Sequence, residues 1–394
     1  MSTPPGPLAH LRVLDLSRVL AGPWAGQLLG DLGADVVKVE RPGAGDDTRA
    51  WGPPWLGGDT PRSDGMSSYF LSCNRNKRSI AIDLAADAEL VRQLARVADV
   101  VLENFKPGTL ERYGIGPHDL LRLNPRLVVA SISGFGHTGP DRDRAGYDLL
   151  IQAMGGLMSV TGDPTGPPQK TGVAISDLMT GMYATVGVLA ALAHRDRTGE
   201  GQHIDLALLD TQLAWMANQA TATLATGRAP ARMGNAHPSI APYEVFEARD
   251  GWLVLAVGND AQFGAFARLS GHPAWVTDAR FATNAARVAH REVLRALVAD
   301  AIAQRDRADW TAACLDAGVP CGPIHDLAEA FELPQARARG AVVEQPDRDG
   351  GTVRTPANPI HLSATPVRYD RPPPRVDEHR AEILRDWLGE AQPR

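Results

Sequence analysis

Cysteine is scarce in this chain: Cys73, Cys314 and Cys321 are the three in 394 residues, an odd number with no C-x-x-C spacing. That argues against a disulfide framework and against a zinc cluster, and it fits a reducing, cytoplasmic setting. A surplus of positive charge is missing too. With a formal net charge of -6 the chain lacks the broad basic excess that nucleic-acid binders use to displace counterions, so no nucleic-acid partner is expected and any anionic ligand must be met locally. No run of about 20 apolar residues stands out, and "MSTPPGPLAHLRVLDL" has no charged segment ahead of a long apolar one. Neither a membrane span nor a signal peptide is expected.

Several catalytic motifs are absent as well. There is no H-E-x-x-H, no G-x-S-x-G and no G-x-x-x-x-G-K-[ST], and no metal-ligand set is read from the sequence. A dinucleotide fold needs G-x-G-x-x-G after its first strand, yet "LSRVLAGPWAGQ" offers only Gly22 and Gly26 there. A nicotinamide dehydrogenase loses its main support.

What is present is alternation. "LRVLDL" (11–16), a helical pattern (24–33) and "DVVKVE" (35–40) read as strand, helix, strand; the pattern returns in "RSIAIDL" (78–84), a helix (88–98), "DVVLEN" (99–104) and "RLVVASISG" (126–134). Continuous apolar strands separated by crossover helices predict an α/β fold with a doubly wound, Rossmann-like parallel sheet and ligands beyond the carboxyl ends of its strands. Residues 201–225 read as a short strand and one long helix, and 226–243 as a linker or active-site loop. Later patterns predict a smaller α+β domain. The expected division is 1–225 for the large domain, 226–330 for the small domain with linkers, and 331–394 returning to the large one. The glycine-rich "GFGHTGPDRDRAG" (134–146) reads either as plain turns or as an anion cradle.

"SDLMTGMYATVGVLAALAH" (176–194) carries one acid near its front, Asp177. A carboxylate in a first helical turn is favoured by the exposed N–H groups and the dipole, so a capping role fits. Ser176 could equally serve as the cap and leave Asp177 free. Gly181, Ala184, Gly187 and Ala191 would then let the helix pack closely, holding at its positive end a nucleophile whose pKa stays low.

These segments, with "RVLAGPWAGQLLGDLGADVVKVERPGAGDDTR" (18–49), "NRNKRSIAIDL" (74–84), "ADVVLENFKPGTLERYGIG" (98–116), "YDLLIQAMGGLMSVTG" (147–162) and "RTGEGQHIDLALLD" (197–210), resemble the class III CoA-transferases along nearly the whole chain. The resemblance implies an acyl-CoA:carboxylate CoA-transferase, with a donor such as succinyl-CoA and a carboxylic or dicarboxylic acid acceptor. CoA thioesters would be substrates, with no permanently bound cofactor, and an interlocked homodimer would be the partner state.

By the same resemblance, Asp177 forms a mixed anhydride and then an aspartyl-CoA thioester, supported by Tyr147 and Asp148. "VGND" (257–260), with Gly258 and Asn259, resembles the glycine loop that covers the aspartate. Leu20, Ala21, Arg41, Ile82, Asp83, Leu84, Ala85, Asn104, Phe105, Lys106 and Arg112 would hold CoA. Arg49, Arg232 or His237 would meet a second carboxylate. The charges of "NRNKRS" (74–79) are expected only to brighten the entrance. Formyl-CoA transferase has Gln where this chain has Leu20, which leaves that enzyme's substrate specificity unsupported here. The α-methylacyl-CoA racemases share the aspartate but pair it with a His where this chain has Tyr147, and a phenol, ordinarily ionising near ~10, is a poorer base at neutral pH.

Overall fold

Five short runs become strands buried on both faces, β1 (Arg12–Asp15), β2 (Asp35–Glu40), β3 (Lys77–Ala81), β4 (Val100–Glu103) and β5 (Val128–Ser133), and a sixth, β6 (Gln202–Ala207), is a partly exposed edge strand. In the computed structural model, which describes residues 5–389 apart from 61 and 63, all six pair in parallel in the order β3-β2-β1-β4-β5-β6. The ends of the first and last expected segments, 1–4 and 390–394, lie outside the described residues. The chain winds outward from β1 to β3, then returns to place β4 on the other side of β1. The loops after β1 and β4 therefore diverge, which opens a crevice at the carboxyl edge.

Helices cover both faces: α1 (Ala21–Asp31), α2 (Ser68–Leu71), α3 (Ala88–Val97), α4 (Pro117–Leu123), α5 (Asp148–Met154), α6 (Leu157–Val160), α7 (Ile175–Thr198), α8 (Leu208–Trp215) and α9 (Ala217–Thr226). Alternate residues of the strands feed two cores. Val37, Val101 and Val129 pack with α3 and with Ile383 and Trp387 of the tail, while Val36, Val100 and Val128 pack with α1 and α7. The single long helix expected after β6 is interrupted at Ala217, whose backbone enters the left-handed region at φ 47°, and α9 beyond it buries no residue.

α7 is long and apolar enough, by length and composition, to cross a membrane, which differs from the sequence expectation of no such segment. Its inner face is occupied: Ala184, Val188, Ala191 and Leu192 belong to the core beside α1. A β-carbon on Gly181 would lie 2.6 Å from the Ala21 carbonyl oxygen and 3.2 Å from the Trp24 β-carbon. Gly181→Ala is therefore expected to wedge α7 from α1 and cost about 1–3 kcal/mol, read as a lower denaturation midpoint.

"NRNKRS" is not an entrance decoration. Arg75, Lys77 and Arg78 are buried, and each meets an acid of α1 or of the sheet: Arg75 Nη2 to Asp31 at 2.6 Å, Lys77 Nζ to Asp15 at 2.9 Å and Arg78 Nη2 to Asp35 at 2.5 Å. A buried charge without a partner would be prohibitively costly, so sequence-distant acids had to be supplied. Asp31 also accepts from Asn76 Nδ2 at 2.7 Å and Asn358 Nδ2 at 3.0 Å, and Arg75 Nη1 donates to the Pro356 carbonyl at 2.8 Å. This hub fastens the C-terminal segment to the parallel-sheet unit.

Compact packing divides the chain into one unit of 1–157, 171–224 and 334–394 and a second of 158–170 and 225–333. The second unit is an antiparallel sheet, β7 (Tyr243–Ala248), β8 (Gly251–Ala256) and β9 (Cys321–Pro323), packed with α10 (Asp260–Leu269), α11 (Asn284–Ala289), α12 (Arg291–Ile302) and α13 (Arg307–Asp316). Its core is aromatic, with Phe246, Phe263, Phe266, Phe281 and Trp310 buried together.

Candidate active site

The first turn of α7 is capped from another helix. The expected Ser176 cap does not form: the helix begins early enough that Ala174 is its N-cap, with no side-chain bond, and Ser176 lies inside the first turn. The Ser176 hydroxyl donates to Gln212 Oε1 at 2.7 Å. The exposed amides of Ser176 and Asp177 donate instead to Oδ1 of Asp148, at 2.8 and 3.3 Å. Asp148 is the first residue of α5. Its carboxylate therefore occupies the positive end of α7, where anions are favoured.

This arrangement reverses the expectation for Asp177. Burial, and secondarily the Asp148 charge beside it, push the Asp177 carboxyl up to about 7. The helix end does not hold it low, because a second carboxylate already sits there. Tyr69, on α2, is raised too, first by burial and then by the Asp177 charge, so its hydroxyl remains a proton donor near that carboxylate. The Trp51 ring meets Tyr69 edge-on at 5.2 Å and lines the same cavity as Asp177. Neither aromatic stands in a motif; only the fold brings them to Asp177.

Two cavities flank the crevice. One of about 510 Å3 is lined by Asp177 and Tyr147 with Leu20, Ala21, Asn104, Phe105 and Lys106. Another of about 550 Å3 is lined by Arg41 and by Ile82, Asp83, Leu84, Ala85 and Phe105. Arg18 and Phe105 line both, with the Arg18 guanidinium 5.3 Å from the Phe105 ring centre. Arg112 lines neither; from its turn it is Thr109 and Tyr113 that face the second cavity.

Buried polar bonds shape these walls. Asn104 clamps the Arg18 backbone, accepting from its N–H at 2.8 Å and donating to its carbonyl at 2.6 Å. Next to it Val19 adopts φ 71°, a left-handed conformation that is costly for a β-branched residue and is held in place by its N–H bond to Asp46 Oδ1 at 3.3 Å. Asp46, its carboxyl lowered to about 2, is itself paired with buried Lys38 at 2.8 Å.

The three residues named for a second carboxylate are otherwise engaged. Arg49 is buried, with Nε and Nη2 on the two oxygens of Glu40 at 2.8 and 2.7 Å and Nη2 also on the Pro374 carbonyl at 2.8 Å. Its fork is committed to Glu40 and cannot receive a substrate without abandoning a buried acid. In the second unit, Arg232 donates to the carbonyls of Asp163 and Gly166 at 3.1 and 2.8 Å, and His237 accepts the Ser239 N–H through Nδ1 at 3.1 Å. Gly258 and Asn259 belong to that unit. The Gly258 N–H donates to Gln262 Oε1 at 2.8 Å, and Asn259 caps α10 by accepting from Gln262 N–H at 2.9 Å. Among the described residues no group of His, Cys, Asp and Glu is gathered that could hold a metal ion.

A parallel α/β sheet with a half-buried aspartate and two cavities at its crevice marks a candidate active site, and the relatives give its class. The pattern of CoA-transferase family III matches residues 8–380. A succinate–glutarate CoA-transferase from Agrobacterium fabrum is 50% identical over 381 residues, covering 96% of this chain and 95% of its own. An acetyl-CoA:oxalate CoA-transferase from Acetobacter aceti is 41% identical, covering 98% and 97%. The crystal structure of a CaiB/BaiF family protein from Brucella suis superposes with a TM-score of 0.86 at 48% identity, covering 98% of this chain and all of that one. The chain belongs to CoA-transferase family III and is an enzyme of that family.

Proposed function

We propose that this enzyme moves CoA from a donor such as succinyl-CoA to a dicarboxylic acid acceptor of the glutarate type through covalent acylation of Asp177. The observation that carries the proposal is the placement of Asp177 in a cavity that shares Arg18 and Phe105 with a second one. A nucleotide in the second cavity, beside Arg41 and 82–85, would run its pantetheine arm past Phe105 and present its thioester to Asp177.

The Asp177 carboxylate attacks the thioester carbonyl, forming a mixed anhydride and releasing CoA thiolate. The thiolate then attacks the aspartyl carbonyl, so the donor acid leaves and an aspartyl-CoA thioester remains. The acceptor carboxylate attacks that ester to form a new anhydride, and the thiolate finally takes the acceptor's acyl group, freeing Asp177. Water must be excluded while the anhydride exists. Asp148 and the Tyr147 side of the cavity support the nucleophile in this scheme. A succinyl-CoA assay against a panel of acids, followed by mass spectrometry of new CoA esters, tests the proposal; esters of dicarboxylates are expected, and their absence overturns it.

Attack needs the ionised carboxyl. Because the Asp177 pKa is raised to about 7, activity is expected to rise with pH through that value. Asp148→Asn removes the like charge, so the limb is expected to move to lower pH, as kcat/KM profiles would show.

The doubly wound, Rossmann-like reading of the sheet, a cytoplasmic setting and an interlocked homodimer belong to the same proposal. The strand order supports the first. The exposed apolar residues Tyr183, Val186 and Leu189 of α7 support the dimer, and light scattering of the protein in solution tests it. An α-methylacyl-CoA racemase is the second reading, favoured by a carboxyl near 7 that could move protons. Deuterium uptake at the α-carbon of a 2-methylacyl-CoA, without an acceptor acid, would select it.

A further inference from the structure

Gln152, one turn after Asp148 on α5, is fully buried. Its amide has no freedom to flip: Oε1 accepts the Thr171 N–H at 3.0 Å, which obliges Nε2 to face Asp148 Oδ2 at 2.6 Å. Asp148 thus accepts three N–H groups, two from the first turn of α7 on Oδ1 and one from Gln152 on Oδ2. Both acceptor positions of Oδ1 and one of the two on Oδ2 are thereby filled, which fixes the orientation of the carboxylate. Among the described residues no such set of donors surrounds the Asp177 carboxyl.

We infer that Gln152 is a positioning residue that holds the Asp148 carboxylate against the first turn of α7, so that its charge faces Asp177 and helps to keep the nucleophile neutral in the substrate-free enzyme. The other ionisable and charged groups around the two carboxyls are Tyr69 on α2, Tyr147 ahead of α5, and Arg18, Asp47, Lys106 and Arg144 on the cavity wall. None of these is hydrogen-bonded to either Asp148 oxygen, so none duplicates Gln152. The raised Asp177 carboxyl agrees with this assignment.

The inference rests on Asp177 being the nucleophile, and its test separates the two claims. In the free enzyme, infrared difference titration should show a protonated carboxylic acid band that disappears in Asp177→Asn and needs no substrate to be seen. Gln152→Leu removes the donor that holds Asp148 Oδ2, so that this carboxylate turns away from Asp177, which then ionises at lower pH. Two pH units below the wild-type midpoint, where about 1% of the plateau kcat/KM remains, the variant is expected to retain about tenfold more. In an Asp148→Asn background the same change should leave the profile unmoved.

Gln152→Met repeats the measurement with an unbranched chain should the leucine variant fold poorly. A uniform fall in rate at every pH, or no Asp177-dependent acid band in the wild type, overturns the inference. Wild-type protein that shows the band but transfers no CoA overturns the proposed function instead.

Discussion

Asp177→Ala is expected to lower CoA transfer by at least about a thousandfold while leaving CoA binding intact. The side chain sits on the first turn of α7 at the wall of its cavity, whereas the residues proposed to hold CoA come from the loops after β1, β2, β3 and β4. In the proposed mechanism, removing the carboxyl deletes the atom that would carry the acyl group and no wall of the cavity proposed for the nucleotide. Initial rates with succinyl-CoA and glutarate, with thermal stabilisation by CoA measured alongside, would check both halves. A variant that still turns over within tenfold of wild type would show that the acyl group travels by another route.

The second large effect concerns stability. Asp31→Ala is expected to cost about 3–5 kcal/mol, a considerable share of the ~5–15 kcal/mol that holds a typical domain. Asp31 accepts four hydrogen bonds, two from Arg75 and one each from Asn76 and Asn358. Its loss strands a buried guanidinium and unties the C-terminal segment at one stroke. The midpoint of denaturant unfolding should fall accordingly, and the double variant Asp31→Leu, Arg75→Met should recover part of the loss by removing the orphaned charge. A change below about 1 kcal/mol in the single variant would mean the hub carries little.

Which parts of this were legible in the sequence follows from the range of the forces involved. β2 occupies the stretch "DVVKVE" (35–40) as read, because an apolar run buried on both faces declares itself locally. The small residues Gly181 and Ala184 marked α7 as a closely packed helix for the same reason. Ion pairs do not declare themselves. Arg75 finds Asp31 from 44 residues away, and Arg49 is committed to Glu40, so charges read as an entrance and as a carboxylate receptor are parts of the interior. Asp177 was visible, but its protonation was not. Burial raises it first and then a carboxylate 29 residues distant, while the helix dipole, taken alone, points the wrong way. Trp51 and Tyr69, the latter on α2, reach the site from segments with no signature in the sequence.

The most direct test is to quench the enzyme during turnover with succinyl-CoA, trap acyl esters with hydroxylamine or borohydride, and map the modified peptide by mass spectrometry. A hydroxamate or reduced side chain at Asp177 is the expected result. An adduct on a different residue, or none at a time when product is accumulating, would contradict covalent transfer through this carboxylate.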